Sequence, residues 1–151
     1  MTQYEQAAIS KAVRILEARL GHYQEPPICS PERSKELVFL HLGGLADEHF
    51  AVAFLTNRHQ LIRFERLFRG TVDGASVHPR VVVRRALELN CAAVLLAHNH
   101  PSGVSEPSQA DQRITQRLKD ALALVDVRVL DHLIVGARLE DTVSFAERGL
   151  L

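Results

Sequence analysis

Two histidines and an aspartate lie in one short segment of the chain, and their spacing is suited to holding a metal ion. His98 and His100 follow an apolar run at residues 92–97, so the chain that carries them is expected to be extended. Residues i and i+2 of an extended chain point to the same side, which brings both imidazoles together and turns Asn99 away. Pro101 then ends the strand, and Asp111 can present its carboxylate from across the following loop.

Two imidazoles and one carboxylate leave one position of a tetrahedral Zn²⁺ ion open. This is the pattern of catalytic rather than structural zinc. Zinc lowers the pKa of bound water to about 7, and a carboxylate outside the ligand set must still take up the proton. The spacing therefore predicts a zinc site formed by His98, His100 and Asp111, with a hydrolase as the chemical outcome.

Ser108 and Asp111 also fit a purely structural role. Ser-x-x-Asp before an apolar helical stripe is an acidic variant of the capping box, so this pair alone would indicate a helix cap. We favour the metal site because His-x-His, a proline and a capped acid all follow one buried strand. Ser108 can serve both purposes, capping the helix while its hydroxyl faces the site.

The elements that position these residues alternate between strands and helices. Residues 108–124 carry an apolar stripe at helical spacing, and the helix that starts after Ser30 has proline at its first position. Strands are predicted at residues 50–55, 60–70, 92–97, 125–135 and 143–145, and helices at residues 3–20, 31–42, 79–89 and 108–124. This alternation predicts an α/β domain with a mixed sheet.

The composition indicates a globular protein. The chain has 151 residues, of which 46% are hydrophobic and 24% charged, and its 18 basic and 18 acidic residues balance. The balanced charge gives no general attraction for nucleic acid or membranes. No apolar run approaches the roughly 20 residues of a membrane-spanning helix, the N-terminus lacks a secretory pattern, and the two cysteines lack metal-site spacing. We therefore expect a cytoplasmic protein.

The segment from His98 to Asp111, with Pro101 and Ser108, resembles the JAMM motif of JAB/MPN metalloprotease domains. HNHPSG, PSQAD, LFRGTV, LALVDVRVLDHLIVG and SFAERGLL are similar to the RadC-like (UPF0758-type) branch, and the resemblance extends from about residue 48 to residue 151. It implies a mixed, curved β-sheet flanked by helices, akin to the cytidine-deaminase architecture. It divides the chain into a helical extension at residues 1–47 and a JAB/MPN domain at residues 48–151.

The resemblance also implies roles for individual residues. The two histidines and the aspartate bind zinc, Ser108 steadies the oxyanion or the attacking water, and Glu48, at the start of an apolar strand, is the general acid/base. Glu32, Glu36 and Glu65 are less well placed for that role. The implied reaction is hydrolysis of a peptide or isopeptide bond in a protein substrate. Residues 1–47 are too short for the helix-hairpin-helix module of longer members, so we expect a short form of the kind found in mobile elements.

The alternative is a non-catalytic, zinc-containing module that binds protein or DNA and is linked to DNA repair, recombination or mobile elements. Its phosphate contacts would come from six arginines: Arg63, Arg66, Arg69, Arg80, Arg84 and Arg85. The balanced net charge favours the interpretation that these side chains are solvated surface groups.

Two other enzyme classes lack their signatures. A nucleobase deaminase needs H-x-E followed by P-C-x-x-C, and a thermolysin-like protease needs H-E-x-x-H on a helix; this chain has neither. His132 lies in an apolar strand pattern, which favours a hydrogen-bonded core histidine over a fourth ligand. Its surroundings, LDHLIVG, are typical of the RadC-like branch, and this resemblance leaves open a role behind the metal ligands.

Overall fold

A computed structural model describes residues 2–21, 26–70 and 76–151. The elements follow the order α1 (Gln3–Gly21), α2 (Pro31–Leu42), β1 (His49–Leu55), β2 (Leu61–Arg69), α3 (Pro79–Glu88), β3 (Ala93–Asn99), α4 (Gln109–Ala123), β4 (Arg128–Val135), a 3₁₀ turn (Leu139–Asp141) and β5 (Val143–Ser144). Every predicted helix and strand is present, with bounds close to those expected from the periodicity of the apolar residues.

The five strands form one mixed sheet in the order β2-β1-β3-β4-β5. β3 and β4 are parallel, and the other neighbouring pairs are antiparallel. Parallel strands need a crossover connection, and α4 supplies it between β3 and β4. The predicted α/β architecture, a mixed sheet flanked by helices, is therefore confirmed.

Helices cover the sheet on both faces, which is why β3 is buried along its whole length. On one face, the side chains of β1 and β3 pack against α3 and α4, with Leu96 and Leu118 among the fully buried contacts. On the other face, Val38 and Leu42 of α2 pack against Ala97 and its neighbours. The residues that follow β3 therefore leave the sheet between helices that pack on its two faces.

α2 begins and ends as its sequence predicts. The Ser30 side chain accepts a hydrogen bond from the backbone N–H of Arg33, Pro31 occupies the first turn, and the helix ends at Gly43. Among the described helices, none combines the length and the apolar character needed to cross a bilayer.

Candidate metal centre

The two histidines of the predicted site meet at the carboxyl end of β3. His98 is fully buried and His100 is partly exposed, and their Nε2 atoms lie 3.0 Å apart. The loop turns back directly after the strand, and Nδ1 of His100 lies 2.7 Å from the backbone carbonyl oxygen of Val104. The two rings therefore share one side of the strand, as the spacing of residues i and i+2 requires.

Asn99 points away from the histidines and holds the chain on both sides of Glu48. Its side-chain oxygen accepts a hydrogen bond of 2.8 Å from the backbone N–H of His49. Its side-chain NH₂ donates a bond of 3.0 Å to the backbone carbonyl of Asp47. The peptide units that flank Glu48 are thereby fixed to β3, and sequence reasoning missed this function of the residue between the two histidines.

Glu48 lies beside the histidine pair because β1 runs antiparallel to β3. Phe50 is opposite His98 in this ladder, and continuing the register by two residues sets Glu48 against His100. A carboxylate oxygen of Glu48 and one ring nitrogen from each histidine all lie within 4.8 Å of one another. These three groups could hold a metal ion.

Asp111 reaches the same two rings from the first turn of α4. Its Oδ1 lies 3.2 Å from Nε2 of His98, and its Oδ2 lies 3.6 Å from Nε2 of His100. The carboxylate also accepts a bond of 2.8 Å from the backbone N–H of Ser108, whose hydroxyl oxygen accepts one of 3.0 Å from the backbone N–H of Asp111. This capping box coexists with the histidine contacts, so Asp111 serves the helix and the site together.

The contacts between Asp111 and the two histidines shift the pKa values of the cluster. Burial by itself would raise the pKa of Asp111, but its contacts with His100 and His98 outweigh burial and hold this pKa far below its ordinary value. The contact with Asp111 is in turn the main reason that the pKa of His100 is raised. The carboxylate therefore stays ionised between two nitrogen donors.

His132 lies behind His98 and is also fully buried. Its Nε2 is 2.8 Å from Nδ1 of His98, and its Nδ1 is 2.5 Å from the hydroxyl oxygen of Thr115. Burial holds the pKa of His132 well below its ordinary value. The interpretation of His132 as a hydrogen-bonded core histidine is confirmed. Thr115 was missed, although its position four residues after Asp111 places both on one helix face.

Comparison with known proteins identifies the family. A family model for the RadC-like JAB domain matches residues 28–150. This chain belongs to that family. A UPF0758 protein of Vibrio cholerae serotype O1 is 55% identical over 148 residues, which make up 98% of this chain and 90% of that protein. A UPF0758 protein of Thioalkalivibrio sulfidiphilus is 62% identical over 124 residues, 82% of this chain but only 54% of that protein.

The RadC-like JAB domain match includes α2, because it begins at residue 28. Val38 and Leu42 of this helix lie in one core cluster with residues of β1, β3 and β4. α2 therefore shares its core with the strands that carry the site. The division into a helical extension at residues 1–47 and a JAB/MPN domain at residues 48–151 stays a prediction.

The arginines considered as a phosphate-binding patch of this RadC-like domain are partly neutralised by carboxylates. Arg69 forms an ion pair with Asp47. Arg85 binds both carboxylate oxygens of Glu65 through its guanidinium group. Such pairs lower the positive charge presented by β2 and α3, so the metal centre provides the stronger basis for a functional proposal.

Proposed function

We propose that this RadC-like JAB domain is a zinc-dependent hydrolase of peptide or isopeptide bonds, with His98, His100 and Asp111 as the metal ligands. The spacing of the three donor groups carries the proposal. The two Nε2 atoms are 3.0 Å apart, and the carboxylate oxygens lie 3.2 and 3.6 Å from them. Ligands about 2.0–2.2 Å from a tetrahedral zinc ion lie roughly 3.3–3.6 Å from one another. The residue types fit catalytic zinc, and the carboxylate distances lie close to this range, whereas the two Nε2 atoms must move apart by about 0.3 Å to reach it.

Glu48 is the group best placed to move the proton. Zinc at this site would polarise the substrate carbonyl and lower the pKa of water to about 7. The Glu48 carboxylate lies within 4.8 Å of the ligand nitrogens and is only partly buried. It takes a proton from the attacking water and passes it to the leaving nitrogen. The water oxygen forms the new C–O bond, the C–N bond breaks, and a carboxylate and an amine are released.

Ser108 provides a hydrogen-bond donor for the substrate. The hydroxyl oxygen of Ser108 accepts the bond from Asp111, which leaves its hydrogen able to donate to a substrate oxygen as negative charge develops. The Ser108 side chain is exposed.

Replacing Glu48 with glutamine tests the mechanism without changing the three proposed ligands. We expect zinc-loaded wild type to cleave members of a peptide library and chelation to abolish cleavage. Glu48→Gln should lower kcat/KM by about 10²–10⁴-fold, as expected for loss of a general base. Glu36→Gln, at an exposed position of α2, is the matched control and should behave as wild type.

Two results would count against the proposal. Cleavage by Glu48→Gln at the wild-type rate would refute the assignment of the base. A wild type that binds zinc but cleaves neither the peptides nor isopeptide-linked peptides would refute the hydrolase and favour the non-catalytic zinc module. In that case, a salt-dependent DNA affinity that survives removal of zinc would identify the DNA-binding form of that alternative.

A further inference from the structure

A continuous line of buried hydrogen bonds joins two of the proposed ligands on the side away from the metal position. It runs from Nδ1 of His98 to Nε2 of His132 over 2.8 Å, and from Nδ1 of His132 to the Thr115 hydroxyl over 2.5 Å. The hydroxyl then donates to the backbone carbonyl of Asp111 over 2.6 Å. All four residues are almost completely buried, so no solvent competes for these bonds.

The position of each hydrogen along this line can be worked out from the end at the Asp111 carbonyl. The carbonyl oxygen of Asp111 has no hydrogen, so the single hydrogen of the Thr115 hydroxyl lies between them. The Thr115 oxygen can then only accept from His132, which places the hydrogen of that ring on Nδ1. When Nε2 of His98 binds a metal ion, the hydrogen of that ring lies on Nδ1, so it points to Nε2 of His132, 2.8 Å away, which accepts it. This leaves the lone pair of His98 on Nε2.

A separate contact places a ring hydrogen of His100 on Nδ1 as well. The carbonyl of Val104 can only accept, so Nδ1 of His100 donates to it, and Nε2 of His100 is the nitrogen whose lone pair a metal ion would bind. Two lone pairs and the Asp111 carboxylate then face one another at 3.0–3.6 Å. A metal ion between them would bind both lone pairs and the carboxylate and offset their repulsion.

We infer that Thr115 and His132 are positioning residues of the metal centre, which hold His98 in the Nδ1–H form and tie its ring to the turn of α4 that carries Asp111. The inference rests on the proposed zinc site. A threonine hydroxyl in a helix often donates a hydrogen bond to the backbone carbonyl four residues earlier, and this tendency alone explains the bond from Thr115 to Asp111. It does not explain why the same hydroxyl meets His132, or why His132 meets the ring nitrogen of His98 that faces away from the site.

Thr115→Val removes the hydroxyl and keeps the shape of the side chain, whereas Thr115→Ser keeps the hydroxyl. We expect Thr115→Val to weaken zinc binding by about 10–100-fold, as outer partners of ligands usually do, and Thr115→Ser to restore it. Thr142→Val is the matched control, because Thr142 is buried and its hydroxyl has no hydrogen-bond partner among the described residues. The readouts are zinc Kd by competition with a chromogenic chelator and the visible spectrum of the Co²⁺-loaded protein.

Nitrogen NMR of the wild-type histidines is an independent readout that needs no variant to fold. The line of hydrogen bonds requires that His132 carries its ring hydrogen on Nδ1, both with and without zinc. It also requires that His98 carries its ring hydrogen on Nδ1 in the zinc-loaded protein. A hydrogen on Nε2 of His132 would overturn the inference, as would a zinc Kd and Co²⁺ spectrum of Thr115→Val equal to those of wild type. Failure of wild type to bind zinc would instead overturn the proposed function. The position of the His132 hydrogen would then be the only test of the line of hydrogen bonds.

Discussion

The first turn of α4 both supplies a proposed metal ligand and caps the helix, and two variants should separate these roles. Asp111→Asn keeps a side-chain oxygen that can accept the 2.8 Å bond from the backbone N–H of Ser108, but it replaces the ionised carboxylate beside His98 with a neutral amide. Ser108→Ala removes the hydroxyl that accepts the 3.0 Å bond from Asp111, but it leaves the carboxylate in place. The first variant tests the metal ligand, and the second tests the helix cap.

The expected sizes of the two effects differ. Loss of the cap hydroxyl should lower the free energy of unfolding by about 1 kcal/mol. In a chain of 151 residues this lowers the melting temperature by about 2–4 °C. Loss of a direct ligand should weaken zinc binding by more than the roughly 100-fold that outer partners cost at most. At zinc equal to about 100 times the wild-type Kd, zinc adds about 2.7 kcal/mol to wild type but at most about 0.4 kcal/mol to Asp111→Asn.

Urea unfolding with and without zinc measures both effects in one assay. The difference between the two curves reports zinc binding, because any change that the substitution makes to the metal-free protein cancels. Ser108→Ala should move both curves to lower urea and keep most of their separation, whereas Asp111→Asn should nearly abolish the separation. If Asp111→Asn kept the full zinc-dependent shift, Asp111 would be a cap alone, and the argument from ligand spacing would be wrong.

Three further outcomes are expected from contacts outside the zinc ligands. Gly103→Ala should destabilise the protein by more than the roughly 1–2 kcal/mol of left-handed backbone strain, because φ is +84° and the new Cβ would lie 3.2 Å from a neighbouring side chain. Gly149→Ala, at φ +69° in open space, should show the strain alone, so equal losses in urea unfolding would contradict this reasoning. Asp131→Ala should cost at least about 2 kcal/mol, because the buried carboxylate accepts two backbone N–H bonds and one hydroxyl bond, and a loss below about 0.5 kcal/mol would be the contrary result. The hydrogen bond with Arg85 holds the pKa of Glu65 below its ordinary value of 4.5, so this pair stabilises the protein above that pH and the effect is lost as pH falls through the lowered pKa. The stability difference between wild type and Glu65→Gln should therefore shrink in acid, and a difference independent of pH would refute it.

Most of the architecture around the site could be predicted from local patterns. The apolar run at residues 92–97 predicted the buried strand β3, and the stripe after Ser108 predicted α4 with its cap. The shared side of the two imidazoles followed from the alternation of side chains along an extended chain. These features depend only on the repeats of 2.0 and 3.6 residues within single elements, so consecutive residues are enough to specify them.

Glu48 could be proposed only from family resemblance, because it lies about fifty residues before the histidines. Its approach to them depends on the pairing and register of β1 with β3, which sets Phe50 opposite His98. The register is in turn held by the covered faces of the sheet, since a slip of one residue would turn every side chain to the other face. Asn99 adds the two bonds that fix the chain around Glu48.

The line of bonds behind His98 belongs entirely to the tertiary structure. By itself the chain specified a strand ending in His-x-His, a capped helix carrying Asp111, and a histidine in a later apolar strand. It did not specify that His132 would lie beside Leu96 in the parallel ladder, or that α4 would bring Thr115 over that strand. Contacts of this kind arise where three elements pack together. They depend on strand order, register and helix placement together, and the periodicity of a single element cannot predict that combination.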